Sequence, residues 1–322
     1  MSKVLVTGGS GFIGCNLIEY LVKKGYEVLN LDVNVPRNLK LEVYWKKCSL
    51  LDLNSLREYS ISFDPAHVIH LGARTDLKGE SIDAYEANTV GTRNLIEVLS
   101  LLPNLINVLF SSSRLVCKIG HNPLSDDEYS ATTSYGLSKV VMEKDIRRLC
   151  SDVSFEWLIF RPTSIWGPWF GEPYKDFFDV VTSGKYFHPY GRKIVKSFGY
   201  VGNAVYLLEK IISSQSPLDK STIYLTDFES LDILDWSNLI RHKLGRRSVF
   251  QAPLFLLRLV AYFGSFLEWL GFKSVPLTRF RLDNLLTNME FNTHPVRQFS
   301  DRLPFTLEDG VDETLFWIKN QK

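Results

Sequence analysis

The sequence predicts an α/β protein: a doubly wound parallel sheet covered by helices on both faces, with a smaller C-terminal α/β part folded over its open end. Three observations carry that expectation. Short apolar runs alternate with stretches of helical spacing through the first half of the chain. The runs are apolar along their length, as strands covered on both faces must be. After about Arg161 the rhythm breaks, and Gly, Pro and aromatic residues gather from Trp166 to Tyr200.

Taken in order, Lys3 to Thr7 is a short apolar run that ends in glycines. Phe12 to Lys23 carries Ile13, Leu17 and Leu21 at helical spacing and stops at Gly25. Glu27 to Asp32 is the next strand. His67 to Leu71, Asn107 to Phe110 and Phe155 to Phe160 are further strands, and helices are expected over Tyr85 to Leu99 and Tyr135 to Cys150 between them. Beyond the break comes a strand at Thr222 to Leu225, then more helices. The expected division is 1–165 as the sheet domain, with returning segments near 199–226, and 166–322 as mainly a substrate domain. Within the latter, Leu254 to Leu270 carries an apolar helical stripe introduced by Pro253. Core packing, a lid or substrate wall, and shallow membrane contact are the three readings open to it.

Bulk composition removes several functions. Lys plus Arg (37) balances Asp plus Glu (36), so no overall field points to nucleic acid or an anionic membrane, a local basic pocket aside. The most apolar stretch, Pro253 to Phe272, is interrupted by Arg258 and Glu268 and falls short of the roughly 20 apolar residues of a bilayer span. No integral membrane segment is expected. Cys15, Cys48, Cys117 and Cys150 are scattered without metal-ligand spacing, which implies free thiols in a reducing cytoplasm and no metal site. Val4-Leu5-Val6 is too short for the core of a cleaved signal.

Thr7-Gly8-Gly9-Ser10-Gly11-Phe12-Ile13-Gly14 closes the first strand and opens a helix. Gly8 permits the tight turn, Gly11 lets backbone approach a pyrophosphate, and Gly14 lets helix pack on strand. Phe12 and Ile13 enter the helix whose N–H groups face the phosphates. Asp32 closes the second strand, where a carboxylate accepts bonds from the adenosine ribose and repels a 2′-phosphate. A Rossmann-type domain binding NAD, in preference to NADP, is therefore expected; the nearby Arg37 tempers the preference.

These glycines, the acidic residue and Tyr135-Gly136-Leu137-Ser138-Lys139 together resemble the extended short-chain dehydrogenase/reductase family, the group of nucleotide-sugar epimerases and dehydratases. The resemblance runs along most of the chain. It implies that Asp52-Leu53 lies beside adenine, that Leu71-Gly72-Ala73 after His70 lies along the dinucleotide, and that Asn88 lies near the active site. Arg161-Pro162 followed by Trp166-Gly167-Pro168 resembles another family segment, which implies Arg161 at the substrate and Pro162 at the cofactor. Lys196, at the start of Lys196 to Val201, stands where the family has an arginine that meets the substrate's diphosphate. The resemblance also implies a homodimer built from the two helices of 85–99 and 135–150.

Tyr135 and Lys139 lie one helical turn apart on the same face. Tyrosine's usual pKa near 10 is too high for proton exchange at neutral pH, and a nearby ammonium and a cationic nicotinamide would lower it. Lys139 can also hold the nicotinamide ribose. Upstream, Ser111-Ser112-Ser113 ends a strand; the resemblance assigns Ser113 to the substrate oxygen and leaves Ser111 and Ser112 on the cofactor side. Arg114 and Leu115 stand where family dehydratases and decarboxylases carry acids, which argues against both reactions. Cys117 and Lys118 replace a tyrosine and a glycine, and Gly202-Asn203 replace acids. Trp166, Trp169, Phe170 and Tyr174 are candidates to stack on a base or sugar, with core packing as the default.

The expected activity is NAD-dependent hydride transfer at a secondary alcohol or ketone of a nucleotide-linked sugar, by an epimerase or by a reductase or dehydrogenase. The alternatives are a 3β-hydroxysteroid or sterol-type dehydrogenase and a non-catalytic NAD-sensing module. The intact Ser113, Tyr135 and Lys139 count against the last.

Overall fold

The computed structural model describes residues 2–171, 174–272, 275 and 277–320. Its centre is a seven-stranded sheet made of β1 (Lys3–Thr7), β2 (Glu27–Asp32), β3 (Trp45–Lys47), β4 (His67–His70), β5 (Asn107–Ser111), β6 (Glu156–Pro162) and the strand Thr222–Leu225. From one edge the order is β3, β2, β1, β4, β5, β6 and Thr222–Leu225, every neighbouring pair parallel. The chain runs outward from β1 to β3 and then returns to β4. The direction of winding therefore switches between β1 and β4, and a crevice opens at their carboxyl ends.

In chain order the first helices are α1 (Phe12–Lys23), α2 (Leu53–Phe63), α3 (Glu86–Leu99), α4 (Ser134–Leu149), α5 (Tyr174–Ser183) and α6 (Val201–Ile212). The period of two along a strand sorts β1 between two cores. Val4 and Val6 join Leu17 and Ile18 of α1 and Val205 and Leu208 of α6. Leu5 joins Leu95 of α3 and Met142 of α4 on the other face. α1 stops because Gly25 takes φ +88° just beyond its end. β3 and α2 were not anticipated from the sequence; α2 buries only Leu56 and Ser60 and starts from an Asp52 cap.

The remaining chain builds small two-stranded pairings over the crevice. Ser164–Trp166 pairs in parallel with Phe198–Tyr200, and Val195–Lys196 runs antiparallel to Leu231–Asp232. Trp166, Phe178, Tyr200 and Trp236 stack into one aromatic cluster, with Trp166 and Trp236 centroids 5.1 Å apart. Trp166 has no exposed surface, so it is core and not a base-stacking platform. This cluster is continuous with the α1 side of the sheet.

Three further helices follow: α7 (Ile233–Lys243), α8 (Leu254–Trp269) and α9 (Arg279–Leu286). α8 does not pack as a core helix. It buries only Leu257, Ala261 and Gly264 of its sixteen residues.

Candidate active site

The glycine loop occupies the crevice. Gly8 takes φ +72°, which favours glycine, and a Cβ there would strike Gly72 N at 2.5 Å. A Cβ on Gly14 would meet the Gly9 Cα at 2.5 Å, so its lone hydrogen lets α1 close on the loop. Gly11 has neither constraint: its φ is −76° and a Cβ would only touch Gly8 O at 3.4 Å. What Gly11 keeps clear is the space before the first turn of α1, whose N–H groups no side chain caps. Gly11→Ala is accordingly expected to keep stability within about 1 kcal/mol of the parent while weakening NAD binding about tenfold or more. Calorimetric titration checks this, and unchanged affinity would remove the loop as the pyrophosphate site.

Around the loop, Asp32 Oδ2 accepts the Ser10 N–H at 3.1 Å and Oδ1 accepts the Asn34 N–H at 2.9 Å. Burial raises its pKa, and those backbone N–H groups act in the opposite sense. Leu71 N–H donates to Thr7 O at 2.9 Å and Gly72 N–H to Thr7 Oγ1 at 3.3 Å, so Leu71-Gly72-Ala73 runs beside the glycines. His70 behind them is neutral. Burial, and then the charge of Lys139, take its pKa down to about 3, and its ring bridges Thr7 and Thr92.

The second half of the site lies where β5 ends. Ser113 Oγ accepts the Leu115 N–H at 3.1 Å and so caps the short turn Arg114–Val116. Thr133 caps α4 by accepting the Gly136 N–H at 3.0 Å. A Cβ on Gly136 would strike Leu115 O, so the first turn of α4 lies hard against that short turn. This brings the Tyr135 phenol near enough to the Ser113 hydroxyl for that group to favour the phenolate. One turn on, Lys139 Nζ donates to Ser111 O at 2.8 Å and to Met142 Sδ at 3.5 Å. Phe12, Ile13 and Pro162 line a cleft of about 180 Å³ with Thr163, Phe170 and Tyr174. Tyr174, which lines that cleft, also acts electrostatically on Tyr135.

Ser113, Tyr135 and Lys139 thus stand together at the carboxyl ends of the same sheet that carries the glycine loop. The profile of the NAD dependent epimerase/dehydratase family matches residues 4–183. The chain belongs to that family. A UDP-N-acetyl-alpha-D-glucosaminuronate decarboxylase of Bacillus cytotoxicus is 31% identical over 182 residues, which are 52% of this chain and 55% of that one. A 3-beta-hydroxysteroid dehydrogenase of Mycolicibacterium neoaurum is 25% identical over 265 residues, 77% of this chain and 71% of that one. The chain spans a little over half the length of the first curated relatives it matches. In fold it is similar to the UDP-glucose 4-epimerase of Thermotoga maritima, solved with UDP-glucose. The TM-score is 0.76 at 16% identity, with 99% of each chain covered.

As in this NAD-dependent family, the residues present fit a dinucleotide. The cradle at Gly11 and the uncapped start of α1 would hold its phosphates, and the acceptor Asp32 its ribose. Lys139, 2% exposed, has two protein acceptors for three N–H donors. Arg37 is engaged elsewhere: its Nη1 donates to Trp169 O at 2.6 Å and its N–H to Ser10 O at 3.1 Å. It therefore closes the loop toward the opposite side of the mouth and is not poised for a 2′-phosphate.

Several expectations need correction. Arg161 is not at the substrate: it has no exposed surface and pairs with the equally buried Glu143 through Nη2 to Oε2 at 2.7 Å and Nε to Oε1 at 2.9 Å. Asn88 is wholly buried; its amide joins the Arg74 backbone to Ser138 Oγ, and Ser138 Oγ donates to Tyr135 O at 2.7 Å. It is a positioning residue, not a cofactor contact. Ser112 Oγ donates to Glu143 rather than lining the cofactor side, and Ser111 meets Lys139 through its carbonyl. The Asp52-Leu53 expectation is not overturned: the exposed Asp52 caps α2 through the Ser55 N–H and Oγ at 3.2 and 2.6 Å, which holds its carboxyl below the usual range, and Leu53 opens that helix.

The pKa of Tyr135 moves opposite to expectation. Burial pushes it up to about 12, and the Ser113 hydroxyl is what counters the rise. Lys139 is drawn down to about 7 by burial, against the opposing pull of Glu143. Below pH 7 folding must bury its ammonium; between about 7 and 10.5 the folded state sheds that proton more readily than the unfolded chain, so stability rises with pH across that window. Lys139→Met is expected to exceed the parent in Tm at pH 7, with the gap narrowing toward pH 10. Thermal melts across that range check it, and a gap that widens would be against it.

Glu143 was missed, although Tyr135, Lys139 and Glu143 recur every four residues on one helical face. It ties together Arg161, Ser112 and, at 3.1 Å, the Tyr129 hydroxyl. Lys196 Nζ donates to Asn284 O at 2.6 Å, and Arg114 Nη1 donates to Met289 Sδ at 3.3 Å. Burial and the charge of Arg114 bring Lys196 down to about 8. Among the described residues neither cation meets a carboxylate.

Proposed function

We propose that the chain is an NAD-dependent epimerase, or a reductase or dehydrogenase, acting on a secondary alcohol or ketone of a nucleotide-linked sugar. The observation that carries this reading is the meeting of Ser113, Tyr135 and Lys139 beneath the glycine loop. Tyr135 exchanges the proton of the reacting oxygen, and Ser113 holds that oxygen in place. Lys139 orients the ribose and, with Glu143 behind it, fixes the Ser111 to Ser113 segment. NAD, when bound, supplies the hydride acceptor or donor at that carbon. Lys196 and Arg114, two cations at one edge, suit a diphosphate.

In this reading 1–165, with the returning segments near 199–226, hold the cofactor, and 166–322 mainly hold the substrate. Four buried free thiols, Cys15, Cys48, Cys117 and Cys150, suit a reducing compartment such as the cytoplasm. The exposed Val90 on α3 and Leu137 on α4 suit the homodimer that pairs these helices.

Thermal shifts with the diphosphates of uridine, guanosine, thymidine and cytidine test the substrate class. Stabilisation by one of them, in the presence of NAD, is the expected result. The 25%-identical hydroxysteroid dehydrogenase, aligned over more of the chain than the sugar-nucleotide relatives, supports a second reading. Binding of a hydrophobic alcohol with no response to any nucleotide would replace the first reading by that one.

A further inference from the structure

α8 is inverted relative to an ordinary surface helix, which turns its large apolar residues inward. Its inward stripe is small and narrow: Leu257, Ala261 and Gly264, and a Cβ on Gly264 would strike the Leu277 carbonyl. At roughly 100° per residue, Phe255, Leu256, Leu259, Val260, Phe263 and Phe266 share an outward arc of about 140°. All six are exposed, and Trp269 at the far end is 78% exposed. The arc continues onto the strand that feeds the helix, where exposed Phe250 meets exposed Phe187 edge-on at 6.0 Å. Apolar surface this contiguous marks a contact face.

The surroundings of the arc are cationic. At the start of α8 a cleft of about 430 Å³ is lined by Arg192, Lys193 and Arg258 with Ile194, Leu254, Leu286 and Asn288, and among the described residues no carboxylate lines it. Farther along, the Arg279 guanidinium lies 4.7 Å over the Tyr262 ring. The one acid on α8, Glu268, is exposed near the end of the helix, about 150° round from the centre of the arc. We propose that α8 docks in the interface of a lipid bilayer bearing anionic headgroups, with its apolar arc among the acyl chains and the Arg192, Lys193 and Arg258 cleft on a headgroup phosphoryl group.

Charge selects this occupant over a second copy of the chain. A twofold contact through α8 would set Arg258 and Arg279 of each copy against those of the other, whereas an anionic surface complements them. Trp269 and Tyr262 have the amphipathic rings that settle at headgroup depth. No described helix is long and apolar enough to cross a membrane, so α8 would lie along the surface. The near-neutral chain makes the attraction a property of this face alone.

Flotation of the full chain with vesicles tests the proposal. The protein should float with an equal mixture of phosphatidylcholine and phosphatidylglycerol, and less with phosphatidylcholine alone. Phe255→Glu with Phe263→Glu should cut partitioning about tenfold or more while leaving Tm and the NAD-induced thermal shift unchanged. Arg192→Glu, Lys193→Glu and Arg258→Glu together should remove the preference for phosphatidylglycerol. The proposal fails if the parent floats with neither vesicle, if the double variant floats like the parent, or if sedimentation velocity shows the face buried in a dimer that vesicles do not dissociate. Loss of the NAD response in the parent would count against the cofactor site alone.

Discussion

Tyr135→Phe is expected to lower turnover by roughly 10²- to 10⁴-fold, the usual contribution of a positioned acid–base group, while leaving NAD affinity close to that of the parent. The substitution removes one oxygen while keeping the ring that lies 6.0 Å from Tyr85. Folding should therefore survive. The phenol's pKa near 12 in the protein alone adds a second requirement: the proton must leave with help from charge that arrives with the cofactor. Titration of Tyr135 followed by ultraviolet difference spectra should show a lower pKa with NAD than without it. Full turnover in Tyr135→Phe would end its assignment as the acid–base residue.

Glu143→Ala should destabilise the fold by about 3–5 kcal/mol, because it strands the Arg161 guanidinium in the core. Neither side chain has exposed surface, so water cannot replace the lost partner. The same change releases Ser112 and the Tyr129 hydroxyl, and the serine strand end then loses its anchor. Glu143→Leu combined with Arg161→Leu should recover much of the stability, since no uncompensated charge is left. Urea unfolding of the two variants separates the cases. Equal losses in the single and double variants would mean that shape, not charge, governs the site.

Six of the seven strands of the sheet and its Rossmann winding were legible because buried parallel strands announce themselves as continuous apolar runs, as in Val4 to Val6 and Val108 to Phe110, whereas the short, charged β3 does not. Gly8 and Gly14 were legible because each stands where a side chain has no room, and Gly11 because it keeps the start of α1 clear. α2 was not: with Leu56 and Ser60 alone buried, its apolar period is too faint to register. Arg161 was misplaced for a related reason. The family segment it matches implied a site residue, and only the fold shows Glu143 waiting on a neighbouring helix. The direction of the Tyr135 pKa failed because spacing reveals which charges are near but not how dry their surroundings are. α8 shows the same limit, since an apolar stripe fixes a helix face without saying whether that face turns inward.

The strand Thr222–Leu225 pairs with β6 from residue 222 to 225, and α6 shares a core with α1. A polypeptide ending near residue 165 would leave the outer edge of β6 bare and the inner side of α1 wet. The glycine-loop half is therefore not an autonomous folding unit. During synthesis, its first 165 residues must await sixty more before the sheet can close, and the open edge of β6 is the surface a chaperone would need to shield.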